Sequence, residues 1–171
     1  MGLDIRRYLR HWFSIDRRKV LDDAALQRLT QCVARTERSH NGQIRICVEA
    51  RLPDSYLGRP HAMSKIVRQR AVSQFGKLRV WDTERNNGVL IYLLLVERAI
   101  EIVADRGIDR PVDPKAWQGI VEMLAQHLKE GRFEAGLTVA IEEISALLAQ
   151  HFPRSADDAH ANELPDAPHI I

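Results

Sequence analysis

The chain has 171 residues and a mass of 19.6 kDa, with 45% hydrophobic and 28% charged residues. This is the size and composition of one soluble globular domain with flanking segments. A formal net charge of only +2 argues against a general nucleic-acid-binding protein, and two cysteines cannot build a disulfide framework.

The sequence shows no signal for a membrane span or for export. Its longest apolar run covers residues 89–96, whereas a spanning helix needs ~20 residues. The arginines near the start are not followed by the apolar stretch of a signal peptide. We therefore expect a cytoplasmic protein with no transmembrane segment, with the inner face of the membrane as a second possible location.

Residues 1–19 form a basic N-terminal segment, with six Lys/Arg against two Asp and a local charge of +4. Apolar residues recur at helical spacing beside the arginines, a pattern typical of a basic amphipathic helix. Such a helix could contact an anionic membrane or a membrane-associated partner, or it could pack on the flank of its own domain. The contact candidates are Arg6, Arg7, Arg10, Trp12 and Phe13.

Residues 20–153 carry the hydrophobic periodicity of a folded domain, and residues 154–171 are interpreted as an extended acidic tail with a local charge of −3. The predicted elements, in chain order, are a helix from Asp22 or Asp23 to Asn41-Gly42, a strand over 43–50, a helix over 61–75, strands over 88–96 and 99–104, a helix from Pro114 to Gly131, and a helix ending before Pro153.

The strand patterns predict the topology. Residues 43–50 alternate between apolar and polar, which is typical of a half-buried or edge strand, whereas 88–96 is continuously apolar and indicates a central strand. The helix between them predicts a right-handed parallel pair, and the turn at Glu97-Arg98 predicts an antiparallel third strand. The expected fold is a three-layer α/β/α sandwich with a small mixed β-sheet.

Strand direction brings several polar residues to one edge of this sheet, because the second strand begins at Gly88 where the third ends at Ala104. Carboxylate and amide oxygens suit Ca²⁺ or Mg²⁺, and an arginine beside exposed backbone N–H groups suits a phosphate. Turn-forming residues at this edge could equally be structural. The candidate ligand-binding or metal-binding residues are Asp82, Asn86, Asn87, Asp105, Arg106 and Gly107.

Other reactive side chains are weaker candidates. Cys32 is predicted to lie in the core, and His40 is expected to face solvent, although it could reach the Asn41-Gly42 edge. Histidines and cysteines lack zinc-site spacing, and the known nucleotide-binding and nucleophile motifs are missing, so no organic cofactor is expected. No catalytic residue can be assigned from the sequence.

Four segments together resemble the TPM domain family, over roughly residues 20–150. They are NGQI at 41–44, DTERNNGVL at 82–90, RAIEIVADRGI at 98–108 and GRFEAG at 131–136. After the third strand many members have Gly-x-Gly, where this chain has Asp105-Arg106-Gly107. The chain looks closest to a bacterial, tail-bearing branch that continues through His-Phe-Pro at 151–153 and Glu-Leu-Pro-Asp at 163–166.

The resemblance implies a small α/β/α sandwich and two classes of function. Members are described as phosphatases, some bind divalent cations such as calcium, and plant members assist photosystem repair. The favoured interpretation is a non-catalytic interaction or accessory module linked to the membrane envelope. The alternative is a weak phosphatase in which Asp82 and Asp105 hold Ca²⁺ or Mg²⁺ and Arg106 clamps the phosphoryl group.

Overall fold

The structure is a computed structural model that describes residues 20–155 and 162–171. Within these ranges the helices and strands, in chain order, are α1 (Asp23–Thr36), β1 (Gln43–Glu49), α2 (Asp54–Leu57), α3 (Met63–Lys77), β2 (Gly88–Leu94), β3 (Ala99–Ala104), α4 (Arg106–Asp109), α5 (Pro114–Lys129), α6 (Phe133–His151) and β4 (His169–Ile170).

The strands form one mixed sheet in the order β3-β2-β1-β4. β1 runs parallel to β2, with Gln43 opposite Gly88, and β2 runs antiparallel to β3, with Val89 opposite Ala104. All seven residues of β2 are buried, as expected for a strand covered on both faces. The predicted central strand, its parallel neighbour and its antiparallel hairpin partner are confirmed.

Helices cover both faces of the sheet. On one face α5 and α6 pack against the sheet and α1 packs against α6, and Leu29, Ile46 and Ile141 share one hydrophobic cluster. On the other face α3 packs against β2 and β3, and Ile66 and Leu90 belong to a second cluster. The α/β/α sandwich predicted from the sequence is therefore confirmed.

Most helix ends follow their sequence signals. The carboxylates of Asp22 and Asp113 accept hydrogen bonds from backbone N–H groups in the first turns of α1 and α5. Gly131, just after α5, takes the left-handed conformation with φ of 74°. The predicted end of α1 at Asn41-Gly42 is wrong. The helix stops at Thr36, and the carboxyl group of Glu37 turns inward, where Oε1 accepts a hydrogen bond from the backbone N–H of Ile44 at 2.8 Å.

β1 is an interior strand, so the edge-like position predicted from its alternating pattern is wrong. All seven of its residues are buried. The reason is β4, which pairs in parallel with β1 on the side away from β2, with Cys47 opposite His169. The guanidinium of Arg45 in β1 donates to the backbone carbonyls of Pro165 and Ala167 in the same C-terminal segment.

The described part of the acidic tail, residues 162–171, is bonded to the domain before it reaches β4. The Gln43 side-chain oxygen accepts hydrogen bonds from the backbone N–H of Glu163 at 3.0 Å and of Leu164 at 2.9 Å. Leu164 joins the hydrophobic cluster beneath α3. This segment therefore completes the sheet and covers the edge that β1 would otherwise expose.

A buried ion pair joins β1 to α3. Two guanidinium nitrogens of Arg70 donate to the Glu49 carboxylate at 2.6 to 3.1 Å, and the Tyr92 hydroxyl donates to the same carboxylate at 2.6 Å. Glu49 is 3% exposed, Arg70 6% and Tyr92 0%. The charge of Glu49 is thus neutralised inside the protein and does not reach solvent.

The predicted basic N-terminal segment lies outside the described residues, so its membrane-contact candidates stay predictions. In the part of the chain that the structure describes, no helix has both the length and the apolar character that crossing a membrane requires.

Candidate functional site

The loops at the start of β1 and β2 and at the end of β3 meet at one edge of the sheet, as strand direction predicted. The backbone N–H of Gly107 donates to the Asn86 carbonyl at 2.8 Å, and the N–H of Asp105 donates to the Gly88 carbonyl at 2.9 Å. The side-chain amide of Asn87 donates to the Asn41 carbonyl at 3.0 Å. We call this region, residues 41–42, 86–88 and 105–107, the amino-terminal edge.

Asn87 is the most enclosed polar residue of the amino-terminal edge, at 0% exposed. Its backbone N–H donates to the Thr83 hydroxyl at 3.1 Å, and its amide nitrogen ties this loop to the loop before β1. Its amide oxygen Oδ1 is buried without a hydrogen-bond partner among the described residues. A buried acceptor of this kind is costly unless a ligand or water satisfies it.

Asp105 follows β3 and caps the short helix α4. Its Oδ1 accepts a hydrogen bond from the backbone N–H of Arg106 at 2.7 Å. Its second carboxylate oxygen, Oδ2, is also buried without a partner within the described ranges. The amino-terminal edge therefore has two unused oxygen acceptors, one on an amide and one on a carboxylate.

The guanidinium of Arg106 is exposed and rests on a neighbouring loop. It donates to Asn86 Oδ1 at 3.1 Å. Asn86 takes the left-handed conformation with φ of 52°, which asparagine tolerates better than most residues. The arginine predicted to clamp a phosphoryl group therefore lies at the predicted edge, and it is held there by an amide oxygen.

Two glycines permit the close approach of these loops. A Cβ on Gly107 would lie 2.4 Å from the Asn86 carbonyl oxygen and 2.5 Å from that of Arg85. A Cβ on Gly88 would lie 2.0 Å from the carbonyl oxygen of Val80. Both distances are far below van der Waals contact, so the geometry of the edge requires glycine at these positions.

Asp82 is bound to a different partner. Its carboxylate pairs with the Arg79 guanidinium at 2.6 Å, with 45% of the Asp82 side chain and 70% of the Arg79 side chain exposed. Among the described residues, no three His, Cys, Asp or Glu side chains form a group that could hold a metal ion. The unused oxygens of Asp105 and Asn87 are therefore not part of any such group.

His40 and Glu37 are two buried titratable residues beside this edge whose burial the sequence did not indicate. His40 is 1% exposed, so the expectation that it faces solvent is wrong; it hydrogen bonds the Gly42 carbonyl through Nδ1 at 3.1 Å. Burial lowers the pKa of His40 to about 4. Burial, with a smaller contribution from Asp166, raises the pKa of Glu37 to about 8.

These pKa values predict that the protein loses stability between pH 6.5 and pH 8. Folded Glu37 retains a proton that the unfolded chain releases near pH 4.5. Protonation of Glu37 therefore contributes fully to the free energy of unfolding at low pH, and this contribution is lost as pH rises towards 8. We expect the free energy of unfolding to fall by about 1–2 kcal/mol over this interval. Urea titrations at several pH values measure the change.

The Glu37→Gln variant is the control for this pH effect, because glutamine keeps the shape and the acceptor for Ile44 but does not titrate. Its stability should be nearly level between pH 6.5 and pH 8. A decline as steep as in the wild type would assign the effect to another group. Below pH 6.5 the neutral, buried His40 has the opposite effect on the pH dependence of stability. Its contribution to the free energy of unfolding is lost as pH falls towards 4.

The fold and the edge define the class of protein: a small three-layer α/β/α domain with a polar loop edge. A sequence profile described as the TPM domain matches residues 14–147. The chain belongs to the TPM domain family.

Solved structures share this fold. One is the NMR structure of the BA42 protein from the psychrophilic bacterium Bizionia argentinensis, which is 27% identical in sequence with a TM-score of 0.73. The match covers 88% of this chain and 94% of that chain. No curated protein matches the sequence significantly.

Proposed function

We propose that this protein is a non-catalytic interaction module of the TPM family that works at the inner face of the membrane with a protein partner. The observation that supports a non-catalytic role is that the polar side chains of the amino-terminal edge are committed to the fold. Asp105 caps α4, Asn87 holds the Asn41 carbonyl, and Arg106 is bonded to Asn86. These hydrogen bonds fix the side chains in place, so the edge is preorganised to bind a ligand.

The described cysteine and histidine candidates also favour binding over catalysis. Burial raises the pKa of the Cys47 thiol to about 12 and raises that of Cys32, which keeps both in the unreactive thiol form. His40 is neutral and enclosed, so water and substrate cannot readily reach it.

The membrane part of the proposal predicts weak, salt-sensitive binding to anionic vesicles through residues 1–19. Each basic residue near the surface should contribute at most about 1 kcal/mol. Binding should fall as salt shortens the screening length towards ~3 Å at 1 M. Co-sedimentation with vesicles of anionic and of neutral lipid measures this.

Deletion of residues 1–19, or the pair Trp12→Ala with Phe13→Ala, should abolish co-sedimentation and leave the melting temperature unchanged. Trp81→Ala is the matched control, since Trp81 is an aromatic side chain that is 50% exposed elsewhere on the domain. A fall in melting temperature without any vesicle binding by the full chain would show that the segment packs on its own domain.

A divalent-cation site, with weak phosphatase activity, is the second candidate function. The two unused acceptors, Asn87 Oδ1 and Asp105 Oδ2, favour it, because hard cations take oxygen ligands. Arg106 lies beside them and could bind a phosphoryl oxygen.

If a cation binds at this edge, Ca²⁺ or Mg²⁺ should raise the melting temperature with increasing occupancy, because a ligand of the native state stabilises it by RT ln(1 + [L]/Kd). Asp82→Asn with Asp105→Asn should abolish the shift. Asp23→Asn with Asp54→Asn, two exposed acidic residues elsewhere, is the charge-matched control and should retain it.

A metal shift that survives in the Asp82/Asp105 double variant would place the ion elsewhere. The same preparations separate the two candidate functions. Metal-dependent hydrolysis of para-nitrophenyl phosphate that is lost in Arg106→Gln would establish the phosphatase, whereas cation binding without hydrolysis fits an interaction module.

A further inference from the structure

A pocket of about 420 Å³ lies at the carboxyl end of β2, at the opposite end of this strand from the amino-terminal edge. It opens between the β2–β3 turn and the connection from α5 to α6. Its volume falls within the range of about 300–1,000 Å³ typical of small-molecule sites. In parallel sheets the carboxyl ends of the strands are the usual place for a ligand.

The wall of this pocket is mostly hydrocarbon. Leu93 and Leu95 line it from the sheet, Leu128 from α5 and Phe133 from the start of α6. These four residues belong to, or pack against, the hydrophobic cluster on this face of the sheet. The pocket is therefore an opening into the core, and its interior suits an apolar chain better than a polar molecule.

Two cationic side chains, Arg98 and Lys129, complete the lining. Neither forms an ion pair with any residue that the structure describes. The acidic residue next to Lys129, Glu130, is not part of the lining and is bound by Arg132 and by Gln126. The pocket therefore combines an apolar interior with uncompensated positive charge.

A neighbouring surface pocket of about 620 Å³, between α1 and the start of α6, differs in this respect. Both of its arginines are paired: Arg28 with Glu134 through two hydrogen bonds of 2.6 and 2.8 Å, and Arg132 with Glu130. That pocket therefore offers no unpaired cation to an anionic ligand. Of these two pockets, the one of about 420 Å³ is the better site for an anion.

We propose that the pocket at the carboxyl end of β2 binds an anionic amphiphile, with a single acyl chain in the apolar interior and the anionic head group at Arg98 and Lys129. Burial of the chain supplies the affinity, and the two cations select an anionic head over a neutral or positive one. This site is separate from the amino-terminal edge. A test of ligand binding here therefore neither supports nor contradicts the functions proposed for that edge.

Residues 1–19 are the alternative occupant, because the described chain begins at Val20, which also lines the pocket. Their local charge of +4 opposes their entry beside Arg98 and Lys129. Charge complementarity therefore favours an anionic ligand over this segment.

The experiment is calorimetric titration of the full-length protein with dodecanoate below its micelle concentration, beside dodecanol and dodecyltrimethylammonium. The wild type should bind dodecanoate most tightly and the cation least. Arg98→Asn with Lys129→Gln should weaken dodecanoate binding by about tenfold or more. Asparagine is chosen because Arg98 has a φ of 50°.

Lys65→Gln with Lys77→Gln is the matched control, since it removes two exposed positive charges from α3 on the other face of the sheet and should leave dodecanoate binding unchanged. Ala125→Trp should fill the pocket and abolish binding. Ala99→Trp is a second blocking variant, to be used if the first lowers the melting temperature.

Three results would overturn the proposal. The first is no dodecanoate binding by the wild type. The second is equal dodecanoate affinity in the wild type and in the Arg98/Lys129 variant, since the head group would then lie elsewhere. The third is binding that occurs only in Trp12→Ala with Phe13→Ala, which would show that residues 1–19 occupy the pocket.

Discussion

Replacing Arg70 by methionine should lower the free energy of unfolding by about 3–5 kcal/mol. The substitution leaves the Glu49 carboxylate, which is 3% exposed, without its cation while the Tyr92 hydroxyl still donates to it. An unpaired buried charge costs far more than the lost contact, because the interior cannot solvate it as water does. Urea denaturation monitored by circular dichroism measures the loss.

Two further variants separate the buried charge from other effects of the substitution. Arg68→Met removes a neighbouring arginine of α3 whose pair with Glu101 is partly exposed, and it should cost less than about 1 kcal/mol. Glu49→Gln combined with Arg70→Met removes both charges and should recover part of the stability lost in the single variant. Equal losses of unfolding free energy in Arg70→Met and Arg68→Met would contradict the conclusion that the unpaired charge of Glu49 causes the destabilisation.

Gly88→Ala should destabilise the protein by about 1–3 kcal/mol, the usual cost of overpacking, and it should also disturb the amino-terminal edge. The new Cβ would lie 2.0 Å from the Val80 carbonyl oxygen, and a backbone atom cannot rotate away as a flexible side chain can. Because Gly88 follows Asn87 directly, any displacement should also weaken a cation-induced rise in melting temperature. Thermal unfolding with and without Ca²⁺ measures both effects.

Gly76→Ala is the matched control for this glycine. A Cβ at Gly76 in α3 has no neighbour within 4 Å, so alanine should stabilise the protein by up to about 1 kcal/mol through its helix propensity. The two substitutions add the same methyl group and should act with opposite signs. If both substitutions changed the stability with the same sign, the close approach of the Val80 carbonyl to Gly88 would not be the cause of the effect of Gly88→Ala.

The sequence predicted best those elements that depend on residues close together in the chain. The spacing of Leu29, Cys32 and Val33 specifies α1, and the continuous apolar run specifies β2, because these patterns depend only on the geometry of a helix or a buried strand. Asp113 and Pro114 start α5 for the same local reason. The direction of the strands then predicts that Asn86, Asp105 and Gly107 lie at one edge of the sheet, as they do.

The sequence alone therefore determined the four long helices, the three main strands, the sandwich and the location of the candidate edge, but not the short helices α2 and α4. Only the tertiary structure decided the environment of each polar side chain, because that depends on partners far along the chain. Arg45 and Glu49 alternate with apolar residues as on a solvated strand, yet both are buried. The segment before β4 supplies the partners of Arg45, and α3 supplies the partner of Glu49. His40 is likewise enclosed, at 1% exposed, although its neighbours in the sequence indicate a turn at the surface. The periodicity of the sequence predicts on which face of a strand a side chain lies. Whether that face is exposed to solvent or buried depends on how distant segments of the chain pack against it.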